Sequence, residues 1–185
     1  MNKPITCEAS MNTSNNKNRV SKIFLIGFMG SGKTSLGKKL AKKLNVSFLD
    51  LDQLIENQEY CSITTIFNTK GEDYFRALET AVLKDIIDKN EHFVLSLGGG
   101  TPCFNNNMEI INQSGISIYL KYNAGILTSR LLGVKQTRPL IAGKNKEELN
   151  RFVVDLLTQR EFFYHQSKFV VETNHITLSD IIKLI

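Results

Sequence analysis

The stretch from Gly27 to Thr34 reads GFMGSGKT, which satisfies the pattern G-x-x-x-x-G-K-[ST]. It stands between a short apolar run, Lys22 to Ile26 (KIFLI), and a basic amphipathic stretch, Lys33 to Leu44, in which Leu36, Leu40 and Leu44 recur every four residues. The run reads as a strand and the stretch as a helix. Glycines lack a Cβ, so the backbone can fold closely around a phosphate. Successive N–H groups then form an anion nest at the positive end of the helix. In such a loop Lys33 bridges the β- and γ-phosphates and the Thr34 hydroxyl ligates Mg²⁺. The bland alternative is a glycine-rich turn that binds nothing, but pattern and context agree against it. The motif names a nucleoside triphosphate and leaves open what is done with it.

Short apolar runs alternate with longer amphipathic stretches along the rest of the chain. Val46 to Leu49, Phe93 to Leu97, Ile116 to Leu120 and Phe169 to Val171 read as further strands. Ser62 caps a short helix through Phe67, and Glu72 to Asp88 continues as a longer one. Asn150 to His165 is helical, and Leu178 to Leu184 forms a terminal helix. Strands separated by helices imply right-handed crossovers and a parallel α/β sheet covered on both faces. Such a sheet collects ligands at the carboxyl ends of its strands.

A chain of 185 residues suffices for one domain with its own core, and no repeat or internal linker divides it. Residues 21–185 are expected to form that domain. Residues 1–20, with MNTSNNKN, have the composition of a disordered tail and lack the apolar centre of a secretory signal. No apolar run reaches the roughly 18 residues of a membrane span. The net charge of +5 suits an anionic ligand but is too mild and scattered for a nucleic-acid surface. The cysteines are Cys7, Cys61 and Cys103; an odd count without CxxC argues against a disulfide framework or a zinc site. Reduced thiols in the cytoplasm are the expectation, with Cys61 and Cys103 buried and inert.

Asp50 and Asp52 follow the second strand in FLDLD, and carboxylates two residues apart point the same way from an extended chain. One could steady a metal through water and the other could take a hydroxyl proton. Alternatively, Asp52 caps a helix from Gln53 onward. Gly98, Gly99 and Gly100 close the third strand, as where a backbone approaches a ligand. Arg76 (GEDYFRALE) and Arg160 (TQREFFY) carry forks that match carboxylates, although an arginine is ordinarily a surface residue. Arg138 precedes Pro139 in TRPLIAG, so it sits in extended chain. Its loop, Gly133 to Lys144, lies between two helices and is long enough for a lid.

The ordered set GFMGSGKTSLGKKLA, FLDLD, IFNTKGEDYFRALE, LSLGGGT, TRPLIAG and TQREFFY resembles the shikimate kinase family from about Lys22 to Val171. The resemblance implies a three-layer P-loop fold related to nucleoside monophosphate kinases, with a five-stranded parallel sheet of order 2-3-1-4-5. It implies ATP at Gly30, Ser31, Gly32, Lys33, Thr34 and Ser35. Mg²⁺ would lie at Thr34 and, through water, at Asp50. Asp52 corresponds to the residue that contacts the shikimate hydroxyls and is the proposed base. Arg76 and Arg160 correspond to the arginines that clamp the shikimate carboxylate. Gly98, Gly99 and Gly100 correspond to the triplet beside shikimate, and Glu79 to a glutamate near that pocket. Arg138 corresponds to the lid arginine that closes on the ATP phosphates.

Two segments depart from the family pattern. The lid begins LLGVKQT, with Arg130 the one further arginine ahead of Arg138, and the turn after the last strand reads ETNH, where adenine contacts would lie. The implied reaction is phosphorylation of the shikimate 3-hydroxyl, by a monomer acting on small molecules without nucleic acid or membrane. A kinase of the same architecture for gluconate or a nucleoside monophosphate is the nearest alternative. A nucleotide-binding regulator without catalysis is the next.

Overall fold

The computed structural model of the protein describes residues 22–133, 141 and 143–185. Arg138, most of the lid segment 133–144 and the tail 1–20 lie outside the described residues.

The first strand, β1 (Lys22–Ile26), reads as a nearly continuous apolar run, and Ile23 to Ile26 are each at most 1% exposed. A strand covered on both faces requires such a run. On one side β1 pairs with β3 (Phe93–Ser96), from Lys22↔Phe93 to Leu25↔Ser96. On the other it pairs with β4 (Ile116–Lys121), from Ile23↔Ile116 to Ile26↔Tyr119. β2 (Ser47–Asp50) flanks β3, and β5 (Phe169–Glu172) flanks β4. All four pairings are parallel, and the sheet has the expected order β2-β3-β1-β4-β5. The chain leaves β1 toward β2 and β3 on one side, then toward β4 and β5 on the other. Its connections therefore part at the carboxyl end of β1, where a doubly wound sheet opens its ligand crevice.

The helices are α1 (Lys33–Leu44), α2 (Leu51–Glu59), α3 (Ile63–Lys89), α4 (Asn107–Ser114), α5 (Ala124–Leu132), α6 (Lys146–Tyr164) and α7 (Leu178–Ile182). In α3, Ser62 accepts from the Thr65 N–H at 3.1 Å, as its capping role requires. The two helices expected there abut at Gly71, whose φ of 82° and ψ of 173° break the spiral. α6 begins four residues before the expected Asn150 because Asn145 and Glu148 form a capping box, each accepting from the other's backbone N–H at 2.9 Å. Among the described residues, no helix is long and apolar enough to cross a membrane.

Phe24 of β1 is fully buried and meets Phe93 of β3 edge to face, with centroids 5.5 Å apart. This pair lies in the strands that carry the loop and the glycine triplet. Phe24→Ala is therefore expected to cost about 3–5 kcal/mol of stability. The change should appear as a lower urea midpoint with an unchanged slope.

Candidate active site

Gly27–Thr34 leaves β1 at the crevice and turns directly into α1. Gly30 (φ 81°) and Gly32 (φ 89°) adopt the left-handed backbone that glycine accommodates without strain, and Gly32 is the N-cap residue of α1. The first turn of α1 carries no acidic side chain of its own. Lys33 folds back over the loop, its Nζ donating to the carbonyls of Gly27 at 2.7 Å and Phe28 at 3.1 Å. The Ser31 hydroxyl is buried inside the loop without a hydrogen-bond partner among the described residues. A buried orphan of this kind fits an anion that supplies the missing acceptor.

A cavity of about 290 Å³ opens in front of the loop. Gly30, Gly32, Lys33, Thr34, Ser35, Asp50, Asp52 and Gly99 line it, with Met29, Ser96 and Leu97 as additions that sequence reasoning did not supply. Ser31 belongs to the loop but not to the cavity wall. The Thr34 hydroxyl donates to Asp50 Oδ2 at 2.9 Å, so two hard oxygen donors meet at the start of α1. Such a pair suits Mg²⁺.

The two aspartates are not successive positions of one extended chain. Asp50 ends β2 and is itself the N-cap residue of α2, while Asp52 lies in the first helical turn. Capping by Asp52 is thereby excluded, and no side-chain cap bond is made at that terminus. The helix begins immediately after the strand, so a tight strand-to-helix turn, not strand alternation, brings both carboxylates to the cavity.

Gly98, Gly99 and Gly100 are where the acceptor-side residues meet. A Cβ built on Gly98 would stand 2.7 Å from Asp52 Oδ1, 2.9 Å from Thr101 Oγ1 and 3.0 Å from Glu79 Oε1. One on Gly99 would stand 3.0 Å from Arg160 Nη1 and 3.8 Å from the Gly27 carbonyl oxygen. One on Gly100 would stand 2.7 Å and 2.9 Å from the two terminal nitrogens of Arg76. The triplet thus draws Asp52, Arg160 and Arg76 from three different helices onto a few ångströms of backbone.

Arg76 is not a surface arginine: its side chain is 12% exposed. Nε and Nη2 donate to Glu72 Oε1 at 3.2 and 3.1 Å, and Nη1 donates to Glu79 Oε2 at 2.8 Å. Glu79 is 1% exposed, and its other oxygen accepts from the Thr101 hydroxyl at 2.5 Å. Arg160 is half-buried on α6, one turn before Tyr164. The fully buried Tyr164 hydroxyl donates to the Gly99 carbonyl at 2.5 Å, and burial raises its pKa above the usual phenol range. Arg130 of α5 stacks 4.0 Å over the Tyr122 ring and donates to the Gly30 carbonyl at 3.3 Å, which places it beside the phosphate loop.

A family model for shikimate kinase matches residues 29–185. The chain belongs to the shikimate kinase family. A shikimate kinase from Azobacteroides pseudotrichonymphae is 49% identical over 162 residues, covering 88% of this chain and 95% of its own. The crystal structure of shikimate kinase from Bacteroides thetaiotaomicron superposes with a TM-score of 0.84 at 37% identity, covering 88% of this chain and 97% of that one. Shikimate kinase from Acinetobacter baumannii, solved in complex with shikimate, gives a TM-score of 0.77 at 34% identity over 89% of this chain and 90% of that one.

Tyr164, Thr101 and Glu72 are further neighbours of this shikimate kinase family site that sequence reasoning missed. Tyr164 had one signal, its position four residues after Arg160 on the same helix face. Thr101 had none, because its partner Glu79 lies 22 residues away on another element.

Two expectations follow from this geometry. Tyr164→Phe removes the only described donor to the Gly99 carbonyl and is expected to cost about 0.5–1.5 kcal/mol, read by denaturant melts. Cys103 is half-buried, and burial raises its thiol to a pKa of about 11 against the lowering influence of Arg160 and Arg76. At pH 8 such a thiol is ionised to roughly one part in a thousand. Iodoacetamide should therefore label Cys103 in the native protein far more slowly than in urea, as mass spectrometry of the modified peptides would show.

Proposed function

We propose that this chain transfers the γ-phosphoryl group of ATP to the 3-hydroxyl of shikimate, giving shikimate 3-phosphate and ADP for chorismate and aromatic amino acid biosynthesis. The observation that carries this reading is the glycine triplet. It gathers a carboxylate and two arginine forks on the acceptor side of a phosphate loop. Family membership supplies the acceptor.

The N–H groups of the loop and Lys33 would hold the β- and γ-phosphates at the start of α1. Thr34 and Asp50 would hold Mg²⁺, directly and through water, and when bound it neutralises charge on the phosphates. Arg76, beside Gly100, and Arg160, beside Gly99, would grip the acceptor carboxylate together. Bidentate pairing fixes the ring as well as binding it. Asp52 would orient the 3-hydroxyl for in-line attack and accept its proton. Arg138, assigned from the sequence, would bring positive charge to the transferring group when the lid closes and water is excluded. A loose phosphoryl-transfer transition state makes this positioning matter more than the strength of the base. Residues 21–185 would work as a single cytoplasmic domain and as a monomer.

A coupled ADP-release assay with Mg-ATP tests the reading directly. Turnover is expected with shikimate but not with gluconate or nucleoside monophosphates. A preference for another acceptor would keep the phosphate-loop chemistry and remove the assignment. Asp52→Asn is expected to lower kcat by about 10²–10⁴-fold; near-normal turnover would deny it the base and orienting role. Arg76→Ala should raise the KM for shikimate far more than that for ATP, and equal losses would argue against a carboxylate clamp.

A further inference from the structure

The guanidinium of Arg76 has five N–H donors, and three of them already go to Glu72 and Glu79. One N–H on each terminal nitrogen remains, and both nitrogens lie close to Gly100, where a built Cβ would stand 2.7 and 2.9 Å from them. The two glutamates fix the group within its own plane. Glu72 is 55% exposed, so that edge is wet and weakly held. Hydrogen bonds made within the plane restrain a tilt less than they restrain rotation in the plane, and a bidentate pair with a carboxylate requires the fork and the incoming group to be coplanar.

The Phe104 ring opposes that tilt. It lies 4.1 Å from Arg76 Cζ, closer than Phe75 at 5.1 Å or Phe67 at 5.7 Å. Phe104 is 37% exposed and is not part of the hydrophobic core, so core packing does not account for its place. Its backbone is anchored to the helix it serves. Asn105 Nδ2 donates to the Arg76 carbonyl and to Thr80 Oγ1, both at 3.0 Å. Asn105 and Asn106 carry φ of 50° and 56°, a left-handed pair unusual outside glycine. This turn folds the chain back toward α3. Gly100 lies against the terminal nitrogens of the guanidinium, and four residues later the Phe104 ring stands 4.1 Å from its Cζ.

We propose that Phe104 is a positioning residue for the acceptor, a ring platform that fixes the plane of the Arg76 guanidinium so that its remaining edge meets the acceptor carboxylate. The proposal rests on the reading that Arg76 binds that carboxylate. Phe104 acts through Arg76 and touches no reacting atom.

The test is steady-state kinetics on the full chain, varying shikimate and ATP separately. Phe104→Ala and Phe104→Leu are expected to raise the KM for shikimate about 3–10-fold, the range a partly exposed cation–π contact commands. The kcat and the KM for ATP should stay within about twofold, and Phe104→Tyr should restore the wild-type KM. In an Arg76→Ala background, Phe104→Ala should add nothing. With shikimate methyl ester, which lacks the anionic group, its effect should vanish. An unchanged shikimate KM in a wild-type-active, folded Phe104→Leu variant overturns the proposal and leaves the function standing. An undiminished effect in the Arg76→Ala background or with the ester also overturns it, by showing that the ring acts independently of the guanidinium. A wild type that does not phosphorylate shikimate removes the underlying reading, and the proposal with it.

Discussion

Everything at the site depends on the parallel pairing of β1 with β3. Leu25 pairs with Ser96, and the Leu97 N–H continues the ladder by donating to the Leu25 carbonyl at 3.2 Å. That register ends both strands at the same level. The phosphate loop leaves one strand and the glycine triplet leaves the other, so a Cβ on Gly99 would lie only 3.8 Å from the Gly27 carbonyl oxygen. A shift of one residue would turn every side chain of a strand to the opposite face. With Ile23 to Ile26 and Phe93 to Leu95 all buried, the core does not tolerate that shift. The spacing between nucleotide side and acceptor side is therefore set by apolar burial in the strands, well before any polar group is considered.

On that frame the acceptor half is assembled from elements distant in sequence. α2 brings Asp52, α3 brings Arg76 and Glu79, and α6 brings Arg160 and Tyr164, all against three residues without side chains. Space accounts for the triplet more directly than flexibility does. At each glycine a Cβ would press on a polar group at 3.0 Å or less. Alanine there would displace Asp52, Arg160 or Arg76 according to position. Three adjacent substitutions would thus disturb three different side chains.

Much of this was legible in the sequence where the signal was local. The phosphate loop carried its own context, and β1, β3 and β4 were readable as short apolar runs, nearly all buried, alternating with amphipathic stretches. The sheet order came from the family resemblance, since alternation alone does not rank strands. Asp50 and Asp52 both reach the cavity, but not by the local route the spacing implied: an extended pair was expected, whereas the turn into α2 brings them there. The start of α6 was missed because its first turn is polar and is held by a capping box rather than by an apolar stripe. Tyr164 had only its helical spacing from Arg160 to mark it, and Phe104 had nothing. Tyr164 meets Gly99 across 65 residues, and nothing in the run TPCFNNN marks its phenylalanine as the cover of a distant arginine.

The pair of Arg76 and Glu79 is buried beside the glycine triplet. With side chains 12% and 1% exposed, both ions have given up most of their hydration. Such pairs commonly add little net stability over apolar residues of the same shape, while loss of one partner costs several kcal/mol. Stability alone would thus favour an apolar substitute for both. The network instead adds Thr101 on the far oxygen of Glu79 and Glu72 on the outer edge of Arg76. Each addition bears on orientation: Thr101 sets the carboxylate, the carboxylate sets one terminal nitrogen, Glu72 bonds the side edge from the solvent side, and the Phe104 ring stands 4.1 Å from Cζ. A fork held this way loses little rotamer freedom when a carboxylate arrives, so the entropy cost of binding has been met during folding. The expense of desolvating two ions is intelligible as preorganisation for an anionic ligand, and it is spent at the one point where α3 meets the glycine triplet.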